Sequence, residues 1–379
     1  MELADVYPLL DIELVKGEGL DLWDAKGTQY LDFYGGHAVI SIGHSHPHYI
    51  KSISKQLEAL GYYSNSVQNP LQKKLAQMLG SQSGYDSHRL FLCNSGAEAI
   101  ENALKVASFH TGKRKFIVFQ GGFHGRTSAA VAATDDSFIQ APLNKSEDFL
   151  MCPLEDKQAF DRLFQDNKSQ LAGVLIEGIQ GIGGIFEPSK EFMEHLSKRC
   201  REVGAVFICD EIQSGYGRTG TFFAHQHHGV KADIVTVAKG MGNGFPIAGV
   251  LIAPDIALWQ KMLGTTFGGN HLACSAAIAV LDVLKDENLE ENAKQQGAYL
   301  IEALSKINGI KAVRGRGLMI ALDFEVPSKV IAQQLRSSYA ILVGSATHPH
   351  TMRLLPSLTI TRAQSDYFIN SLEKVLRAL

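Results

Sequence analysis

The sequence predicts an α/β fold in which a mostly parallel central sheet has helices on both faces, beside a smaller discontinuous α+β domain. Three observations support this prediction. Between about residues 89 and 253, short β-rich runs alternate with helical segments, as in covered parallel sheets. Roughly the last hundred residues instead predict mainly helices around one two-part strand. The N-terminal segment alternates and turns like a small antiparallel sheet that packs beside the C-terminal part.

The predicted elements follow the chain in order. The central strands are the runs R-L-F-L-C, K-F-I-V-F, G-V-L-I-E, A-V-F-I-C, D-I-V-T-V and A-G-V-L-I-A. A helix over residues 189–204 has apolar residues at helical spacing and ends on a glycine. Later elements are helices around residues 273–284 and 287–307, a strand near residues 317–324 and a helix to the end of the chain. We predict a large domain of residues 46–275 and a small domain of residues 1–45 and 276–379.

Composition and charge argue against several classes of partner. The 379 residues contain 36 Lys plus Arg and 39 Asp plus Glu, a formal net charge of -3, so no overall field favours nucleic acid or an anionic membrane. The five cysteines are scattered without C-x-x-C spacing, which indicates reduced thiols. The N-terminus is acidic and no apolar run approaches about 18 residues, which disfavours export and membrane spanning. We expect a cytoplasmic protein.

Lys239 is the first candidate catalytic residue. In T-V-A-K-G-M-G-N-G-F-P it is the first polar residue after a short apolar run that predicts a buried strand. Partial burial there would lower the pKa of its amine and make it a nucleophile toward an aldehyde. On this stretch alone, the alternative is a lysine that reaches water at the end of a strand.

Asp210 is the second candidate, because the run A-V-F-I-C leads directly into Asp210 and Glu211. In open α/β sheets ligands gather at the carboxyl ends of the strands, and a carboxylate buried there needs a positive partner. Gln213 lies close enough in sequence to hydrogen-bond the same ligand. A helix N-cap or an ion pair to a neighbouring helix would explain Asp210 equally well.

The segment N-S-G-A-E-A-I-E-N-A-L-K follows a predicted strand and opens a helix. Ser95, Gly96 and Ala97 offer a hydroxyl, free backbone N–H groups and little bulk, which suits a phosphate at a helix N-terminus. Ser95 with Glu98 also fits a capping box, which is the commoner use of this pattern.

Three further segments carry groups suited to a planar or anionic ligand. In G-G-F-H-G-R-T, Phe123 can stack on a flat ring and Arg126 can bind a carboxylate, although a turn with a surface arginine is the alternative. The loop G-T-T-F-G-G-N suits an anion or is a plain loop. Arg353 interrupts an apolar strand in T-M-R-L-L-P, which indicates an anionic partner.

Other chemistries are disfavoured. The histidines at positions 44, 46 and 48 and at positions 225, 227 and 228 lack cysteines or carboxylates at ligand spacing, so turns and helix caps explain them and no metal is expected. The sequence contains no G-x-S-x-G and no P-loop. It also lacks a G-x-G-x-x-G after its early strands, which argues against a dinucleotide-binding dehydrogenase.

One ligand, pyridoxal phosphate, would use these groups together: its aldehyde needs an amine, its ring nitrogen a buried carboxylate, and its phosphate N–H groups. The chain resembles the fold-type I, class III pyridoxal-phosphate aminotransferases and, within them, the acetylornithine aminotransferases. The resemblance covers nearly the whole chain in order, through K-G-E-G-L-D-L-W-D, N-S-G-A-E-A, F-H-G-R-T, D-E-I-Q-S-G-Y-G-R-T-G, A-K-G, T-T-F-G-G-N and R-L-L-P-S-L-T-I-T.

The resemblance implies roles around the cofactor ring. Lys239 would bind the cofactor covalently and then move the proton that the reaction transfers. Asp210 would hold the ring nitrogen, Gln213 would reach the phenolic oxygen, and Phe123 would stack on the ring. Retention of Lys239 with these contacts argues against a catalytically silent binding protein.

The resemblance also implies a phosphate site that two subunits share. Ser95, Gly96 and Ala97 would hold the phosphate from one subunit. Thr266 would reach it from the partner subunit of a homodimer, with Thr265 beside the substrate.

For substrates, the resemblance implies that Arg126 binds the carboxylate far from the reacting amine, and that Arg353 binds the α-carboxylate of glutamate or 2-oxoglutarate. The implied reaction moves the δ-amino group of an N2-acylornithine to 2-oxoglutarate in arginine biosynthesis. The alternatives are another class III ω-aminotransferase, acting on ornithine or 4-aminobutyrate, or an aminomutase of the same fold; the paired arginines argue against the aminomutase.

The chain departs from the family pattern where E-P-V-Q-G-E-G-G is usual. Here it reads E-G-I-Q-G-I-G-G, so Gly178 replaces a proline and Ile182 replaces a glutamate. In related enzymes that glutamate screens the arginine that binds the α-carboxylate, so Arg353 is left without this partner. His271 follows the G-G-N motif where a proline is usual. We hypothesise that the acyl pocket differs and admits a larger or anionic acyl group such as succinyl.

Overall fold

A computed structural model describes all residues, 1–379. Its strands are β1 (Leu14–Glu18), β2 (Asp21–Asp24), β3 (Gln29–Asp32), β4 (Arg89–Cys93), β5 (Lys115–Phe119), β6 (Phe149–Cys152), β7 (Leu171–Glu177), β8 (Val206–Asp210), β9 (Ile234–Val237), β10 (Ala248–Ile252), β11 (Ile310–Arg316), β12 (Met319–Phe324), β13 (Ile341–Leu342), β14 (Gly344–Ser345) and β15 (Thr351–Leu354). Its helical segments are α1 (Gly35–Ala38), α2 (Pro47–Ala59), α3 (Pro70–Ser83), α4 (Gly96–Thr111), α5 (Ser128–Ala132), α6 (Lys157–Asn167), α7 (Lys190–Val203), α8 (His271–Asp286), α9 (Leu289–Leu304), α10 (Ser328–Tyr339) and α11 (Arg362–Ala378). Short 3-10 turns cover Ser137–Ile139, Pro142–Asn144, Ala224–His228 and Lys239–Met241.

The central sheet has seven strands in the order β4, β10, β9, β8, β7, β5, β6. The five strands from β9 to β6 run parallel, whereas β10 is antiparallel to both of its neighbours. Every residue of β7, β8, β9 and β10 is buried, as expected for apolar strands covered on both faces. The predicted mostly parallel sheet is confirmed.

Helices cover both faces of this sheet. Because successive strand residues face opposite sides, Phe116 and Val118 of β5 pack in the cluster that contains Ile100 of α4. Ile117 of β5 instead packs in the cluster that contains Phe192 of α7. The sheet is therefore the middle layer of three, as the sequence predicts.

Helix α7 forms where the sequence predicts a helix over residues 189–204. Its start is capped by Ser189, whose Oγ accepts a hydrogen bond from the backbone N–H of Phe192 at 3.1 Å. Its end is closed by Gly204, which has a φ of 66°. Leu196 and Cys200 are buried at helical spacing with Phe192, and the chain then enters β8.

Two four-stranded sheets lie outside the central one. The first contains β1, β2 and β3, the predicted N-terminal antiparallel sheet, which β13 extends with Leu31 opposite Ile341. The second contains β11, β12, β15 and β14. The N-terminal segment thus pairs with the C-terminal part of the chain. The division into residues 46–275 and residues 1–45 with 276–379 stays a prediction.

The strand predicted near residues 317–324 is the second arm of a hairpin formed by β11 and β12. Gly317 makes the turn with a φ of 55°, and a Cβ there would lie 2.6 Å from the backbone of Thr219. A glycine is required because both the backbone conformation and the close approach exclude a side chain.

The carboxyl ends of the parallel strands bring several polar residues together. Glu177 ends β7 and Asp210 ends β8, directly opposite each other in the ladder. Thr236 of β9 lies opposite Asp210, and Lys239 follows the end of that strand. This edge is where open α/β sheets bind ligands. None of the helices combines the length and apolar character needed to cross a lipid bilayer.

Candidate active site

A cavity of about 550 Å³ lies at this edge of the central sheet. The predicted site residues in its wall are Ser95, Gly96, Ala97, Phe123, Arg126, Asp210, Gln213, Lys239 and Arg353. Thr265 and Thr266 are not in its wall. The volume falls within the range typical of small-molecule sites. The fold therefore brings together residues that are more than 250 positions apart in the sequence, roughly from Ser95 to Arg353.

Lys239 begins a 3-10 turn just after β9 and has a φ of 44°, a backbone conformation that is unusual for a lysine. Its side chain is largely buried. Burial lowers its pKa to about 8, although Asp210 and Glu177 counteract this shift. Roughly one amine in ten is then uncharged at neutral pH, compared with far fewer for an ordinary lysine. The prediction of a desolvated lysine with a usable nucleophilic amine agrees with this geometry.

Asp210 is buried and paired with His124. The Oδ2 atom of Asp210 lies 2.8 Å from Nδ1 of His124, while its Oδ1 accepts hydrogen bonds from the Ile212 backbone at 3.0 Å and the Thr236 hydroxyl at 3.3 Å. Burial alone would lower the pKa of His124, but its hydrogen bond to Asp210 and the charges of Asp210 and Glu177 together outweigh burial and raise the pKa. The pair therefore places the Asp210 carboxylate beside an imidazole whose protonated form it favours.

Glu177 is a further buried carboxylate in the cavity wall. Its two oxygens accept hydrogen bonds from the backbone N–H groups of Phe123 at 2.9 Å and Gly181 at 2.8 Å. Burial raises its pKa to about 7, with His124 counteracting and Asp210 reinforcing this shift. Glu177 thus holds the loop that carries Phe123 against the loop that follows β7.

Sequence reasoning missed His124 and Glu177. A signal existed for Glu177, because it ends the apolar run G-V-L-I-E just as Asp210 ends A-V-F-I-C. His124 lies between Phe123 and Arg126 in a segment that was already a candidate. Its partner is 86 residues away, so the pairing itself has no local signal.

The N-terminus of α4 faces the cavity. Ser95 caps this helix, since its Oγ accepts a hydrogen bond from the Glu98 backbone at 3.3 Å. Gly125, in the loop after β5, has a φ of 140°, and a Cβ there would lie 2.9 Å from the Cβ of Ala97. The loop can therefore lie directly against the start of α4, where the first N–H groups of a helix bind anions.

Arg126 is exposed at the cavity wall. Its guanidinium carbon lies 6.0 Å from the centre of the half-buried Phe123 ring, at the outer limit of a cation–π contact. This position suits an arginine that meets a ligand entering from solvent.

Arg353, on β15, is only 1% exposed. Its Nε donates to the Ser345 carbonyl at 2.5 Å and its Nη1 donates to Oε1 of Gln213 at 3.1 Å, so both acceptors are neutral. Burial lowers its pKa, although Tyr34 and Glu177 counteract this. A buried cation without a carboxylate partner is costly unless a ligand supplies the negative charge. Ile182 lies in the same cavity wall and offers no such charge.

Gly178 and Gly181 are explained by their neighbours. A Cβ at Gly181 would lie 2.1 Å from Oε1 of Gln213, the atom that accepts from Arg353. A Cβ at Gly178 would lie 2.5 Å from Oε1 of Glu211, a fully buried carboxylate. A side chain at position 178 would meet this carboxylate in the present structure, but the structure gives no reason why the chain departs from the family proline.

Thr265 and Thr266 lie in a loop outside the cavity. The Thr265 hydroxyl accepts a hydrogen bond from the side chain of Asn94 at 3.2 Å, and Asn94 is in the cavity wall. Thr266 is exposed, and its carbonyl accepts a hydrogen bond from the Tyr62 hydroxyl at 3.2 Å. The predicted contact of Thr266 with a partner's cofactor remains a prediction.

Four of the six clustered histidines are hydrogen-bonded to carboxylates. His44 pairs with Asp32 at 2.9 Å, His46 with Glu287 at 2.9 Å and His48 with Asp282 at 3.2 Å. In the second cluster, His225 is buried against Glu211 at 2.7 Å.

The family model described as "Aminotransferase class-III" matches residues 4–376. The acetylornithine aminotransferase of Bacillus subtilis is 38% identical over 99% of this chain and 97% of its own length. That of Methanocaldococcus jannaschii is 38% identical over 98% of this chain and 94% of its own length.

Solved structures show the same similarity. The acetylornithine aminotransferase of Elizabethkingia anophelis has a TM-score of 0.86 and 30% identity, and the alignment covers 99% of this chain and 96% of that one. The ornithine aminotransferase of Toxoplasma gondii, whose structure shows partial occupancy of PLP at the active site, has a TM-score of 0.92 and 30% identity, over 99% of this chain and 92% of that one.

Proposed function

This chain belongs to the class-III aminotransferase family, and from that premise we propose that it transfers the δ-amino group of an N2-acylornithine to 2-oxoglutarate. The products are an N-acylglutamate 5-semialdehyde and glutamate, as in arginine biosynthesis. One observation carries the proposal: a single cavity holds an amine of lowered pKa, a buried ion-paired carboxylate and a buried guanidinium whose acceptors are neutral. N-acetylornithine is the first donor to test, because relatives 35% to 38% identical to this chain are named for it, and N-succinylornithine is the second.

Pyridoxal phosphate fits the ring end of this cavity. When bound, it supplies an electron sink for the carbanion that forms at the substrate carbon. Lys239 would hold it covalently, Asp210 would face the ring nitrogen and Phe123 would stack on the ring. Gln213 donates only one of its two amide N–H groups, to the carbonyl of His37 at 3.2 Å, so the other is free for the phenolic oxygen.

The phosphate end is formed by the start of α4. Ser95, Gly96 and Ala97 would hold the phosphate through a hydroxyl and backbone N–H groups, and the helix dipole favours its negative charge. The partner's Thr266 would complete the site in a homodimer. The exposed rings of Tyr62 and Phe267 beside this loop support such an interface, since they have centroids 5.6 Å apart and are 41% and 60% exposed.

Lys239 carries the proton transfer. Its Nζ takes the proton from the substrate carbon that bears the amine and returns a proton later, which requires a pKa near the working pH. The Asp210 carboxylate, oriented by its hydrogen bond to His124, would stabilise positive charge at the ring nitrogen. The buried wall around these groups limits access of water.

The carboxylates of the two substrates would bind to two different arginines. Arg126, at the exposed part of the wall, would bind the carboxylate at the acylated end of the donor. Arg353, inside the cavity, would bind the α-carboxylate of 2-oxoglutarate and glutamate. Two carboxylate sites permit two half-reactions at one lysine.

A second candidate is transamination of free ornithine. It is favoured by the TM-score of 0.92 to the ornithine aminotransferase of Toxoplasma gondii, over 99% of this chain. We place the enzyme in the cytoplasm in either case, and expect a homodimer in sedimentation.

The test is a half-reaction followed by visible absorption. The protein loaded with pyridoxal phosphate should absorb near roughly 400 nm, as expected for a lysine-bound pyridoxal cofactor. N-acetylornithine should bleach this band and 2-oxoglutarate should restore it, and Lys239→Ala should abolish both changes.

N-succinylornithine and free ornithine are the matched comparisons. If free ornithine bleaches the band and neither acylornithine does, the second candidate, transamination of free ornithine, is supported instead. A band that no ornithine derivative bleaches would leave the cofactor assigned and reject both substrates.

A further inference from the structure

The left-handed turn α1 contributes a strained residue to the cavity wall. Its four residues all have positive φ: Gly35 (56°), Gly36 (53°), His37 (68°) and Ala38 (63°). Glycine adopts this conformation freely, whereas a residue with a side chain loses stability there. His37 nevertheless lines the cavity. Strain of this kind persists only where surrounding contacts hold the backbone.

Two side chains hold the turn in place. The Oδ1 atom of Asp32 accepts hydrogen bonds from the backbone N–H groups of Tyr34 at 2.9 Å and Gly35 at 2.8 Å. At the other end, Nε2 of Gln213 donates to the carbonyl of His37 at 3.2 Å. The backbone of His37 is therefore fixed from both sides.

The same Gln213 amide connects His37 to Arg353. While its Nε2 donates to His37, its Oε1 accepts from Nη1 of Arg353 at 3.1 Å. One planar amide thus sets the separation between the turn and the guanidinium. His37 and Arg353 are both in the cavity wall.

The His37 ring is oriented by Tyr34. The Tyr34 hydroxyl makes a short hydrogen bond with Nδ1 of His37 and lies 3.4 Å from its Nε2, and burial raises the pKa of Tyr34. When the hydroxyl donates this bond, Nδ1 is the acceptor and a neutral imidazole carries its own proton on Nε2. Burial, Lys239 and Arg353 all lower the pKa of His37, which favours this neutral form. The ring thus presents one N–H donor.

We propose that His37 is a substrate-binding residue that completes the carboxylate site of Arg353, by donating its Nε2–H to a carboxylate of a dicarboxylate amino acceptor. The proposal rests on the proposed function for the identity of that acceptor. Arg353 uses two of its five N–H donors on Ser345 and Gln213, and Ile182 offers no polar group, so a further neutral donor beside the guanidinium would add to its hold on a carboxylate. A neutral donor suits this place because it adds no charge beside two cations.

Glutarate tests the site directly, because it has both carboxylates of 2-oxoglutarate and no group that reacts. Its dissociation constant is measured by calorimetry on the loaded enzyme, for wild type, His37→Gly and His37→Asn. Glycine and asparagine both tolerate positive φ, so these variants keep the turn. We expect about tenfold weaker binding for His37→Gly, the size of a hydrogen bond to a charged group, and a smaller loss for His37→Asn.

Kinetic measurements distinguish a loss of acceptor binding from a general loss of activity. The KM for 2-oxoglutarate should rise about as much as the glutarate constant, while the half-reaction with the acylornithine should change less than about twofold, since its carboxylate lies at Arg126. Tyr34→Phe should weaken glutarate less than His37→Gly does. His110→Asn, at an exposed histidine in the last turn of α4, is the matched control and should change nothing.

Two results would overturn the proposal. Glutarate binding that is unchanged in His37→Gly shows that the imidazole makes no contact with the carboxylate. Equal losses in both half-reactions show that the turn only shapes the cavity. Failure of the proposed function looks different: wild type then ignores every acylornithine, while the glutarate titration still reports on His37.

Discussion

The buried charged groups at the two ends of the cavity differ in their partners: one is paired with an opposite charge and the other is not. At the Lys239 end, Asp210 is paired with His124 at 2.8 Å, so negative charge meets positive charge before any ligand arrives. At the other end, Arg353 is equally buried, yet its acceptors are a carbonyl and an amide. Paired charges fix the geometry of a site, whereas an unpaired buried cation favours binding of an anionic ligand that offsets the cost of its burial. The difference indicates a permanent cofactor at one end and an exchanging anion at the other.

Asp210→Asn breaks the paired end and should have the largest effect. The amide is nearly isosteric but leaves His124 without its carboxylate and offers no negative charge to the ring nitrogen. We expect kcat to fall by about 10²- to 10³-fold, in line with the loss of a preorganised electrostatic contact. Steady-state kinetics at saturating cofactor measure this.

Asp233→Asn is the matched control for that experiment. Asp233 is another carboxylate near the sheet, and it lies outside the cavity wall. Its Oδ2 accepts a hydrogen bond from the Phe207 backbone at 2.8 Å. Its variant should keep kcat within about threefold. A similar kcat for wild type and Asp210→Asn would show that the charge pair serves only the fold.

Arg353→Met breaks the unpaired end and should raise the KM for 2-oxoglutarate by about 100-fold. A carboxylate then loses a charge-assisted bond in a water-poor cavity, which is worth more than an exposed ion pair. The half-reaction with the acylornithine should change less than about threefold.

Arg218→Met is the control for losing a buried arginine. Arg218 is 2% exposed and donates to the carbonyls of Leu318 and Pro356, outside the cavity wall. This variant should lower the melting temperature without changing the KM for 2-oxoglutarate. Equal damage to both half-reactions in Arg353→Met would contradict the division between the two ends.

The same comparison explains what could be predicted from sequence. A polar residue at the end of an apolar strand run can be recognised from the local sequence. This pattern identifies Glu177, Asp210 and Lys239. Their partners leave no such signal: His124 is 86 residues from Asp210, and Gln213 is 140 residues from Arg353. Only the sheet order and the packing of loops bring these residues together.

The fold was predictable for a related reason. The strand runs of the central sheet are apolar throughout because both faces are covered, and this pattern needs no tertiary information. The turn α1 could not be predicted, since the two glycines permit a left-handed conformation but nothing in the local sequence requires His37 to share it. Hydrogen bonds from Gln213 and to Asp32 impose it.

Lys239→Met tests how much stability the cofactor-free protein loses by burying the charged amine of Lys239. The folded-state pKa of about 8 lies below the ordinary 10.5. Below pH 8 the amine is charged in both states and its burial costs stability in full. Between pH 8 and pH 10.5 the unfolded chain binds more protons, so this cost disappears as the pH rises.

The variant should therefore be more stable than wild type by about 3 kcal/mol near pH 7, and this gain should shrink toward zero as the pH approaches 10.5. Denaturant unfolding of both proteins across this pH range measures the difference, and titration of other groups cancels between them. A gain that does not depend on pH would mean that the lysine is not desolvated when the cofactor is absent.

Ile182→Glu makes the two ends alike and should have the smallest effect. A carboxylate in the cavity wall beside Arg353 would compete with the ligand for the guanidinium, so the KM for 2-oxoglutarate should rise about fivefold to tenfold. The effect is smaller than that of Arg353→Met because the cation remains and the ligand can displace a side chain. Ile182→Gln, which adds polarity without charge, should change the KM less than about twofold. If the glutamine and glutamate variants behaved alike, the charge of Arg353 would not be what attracts the acceptor, and the two ends would differ in shape rather than in electrostatics.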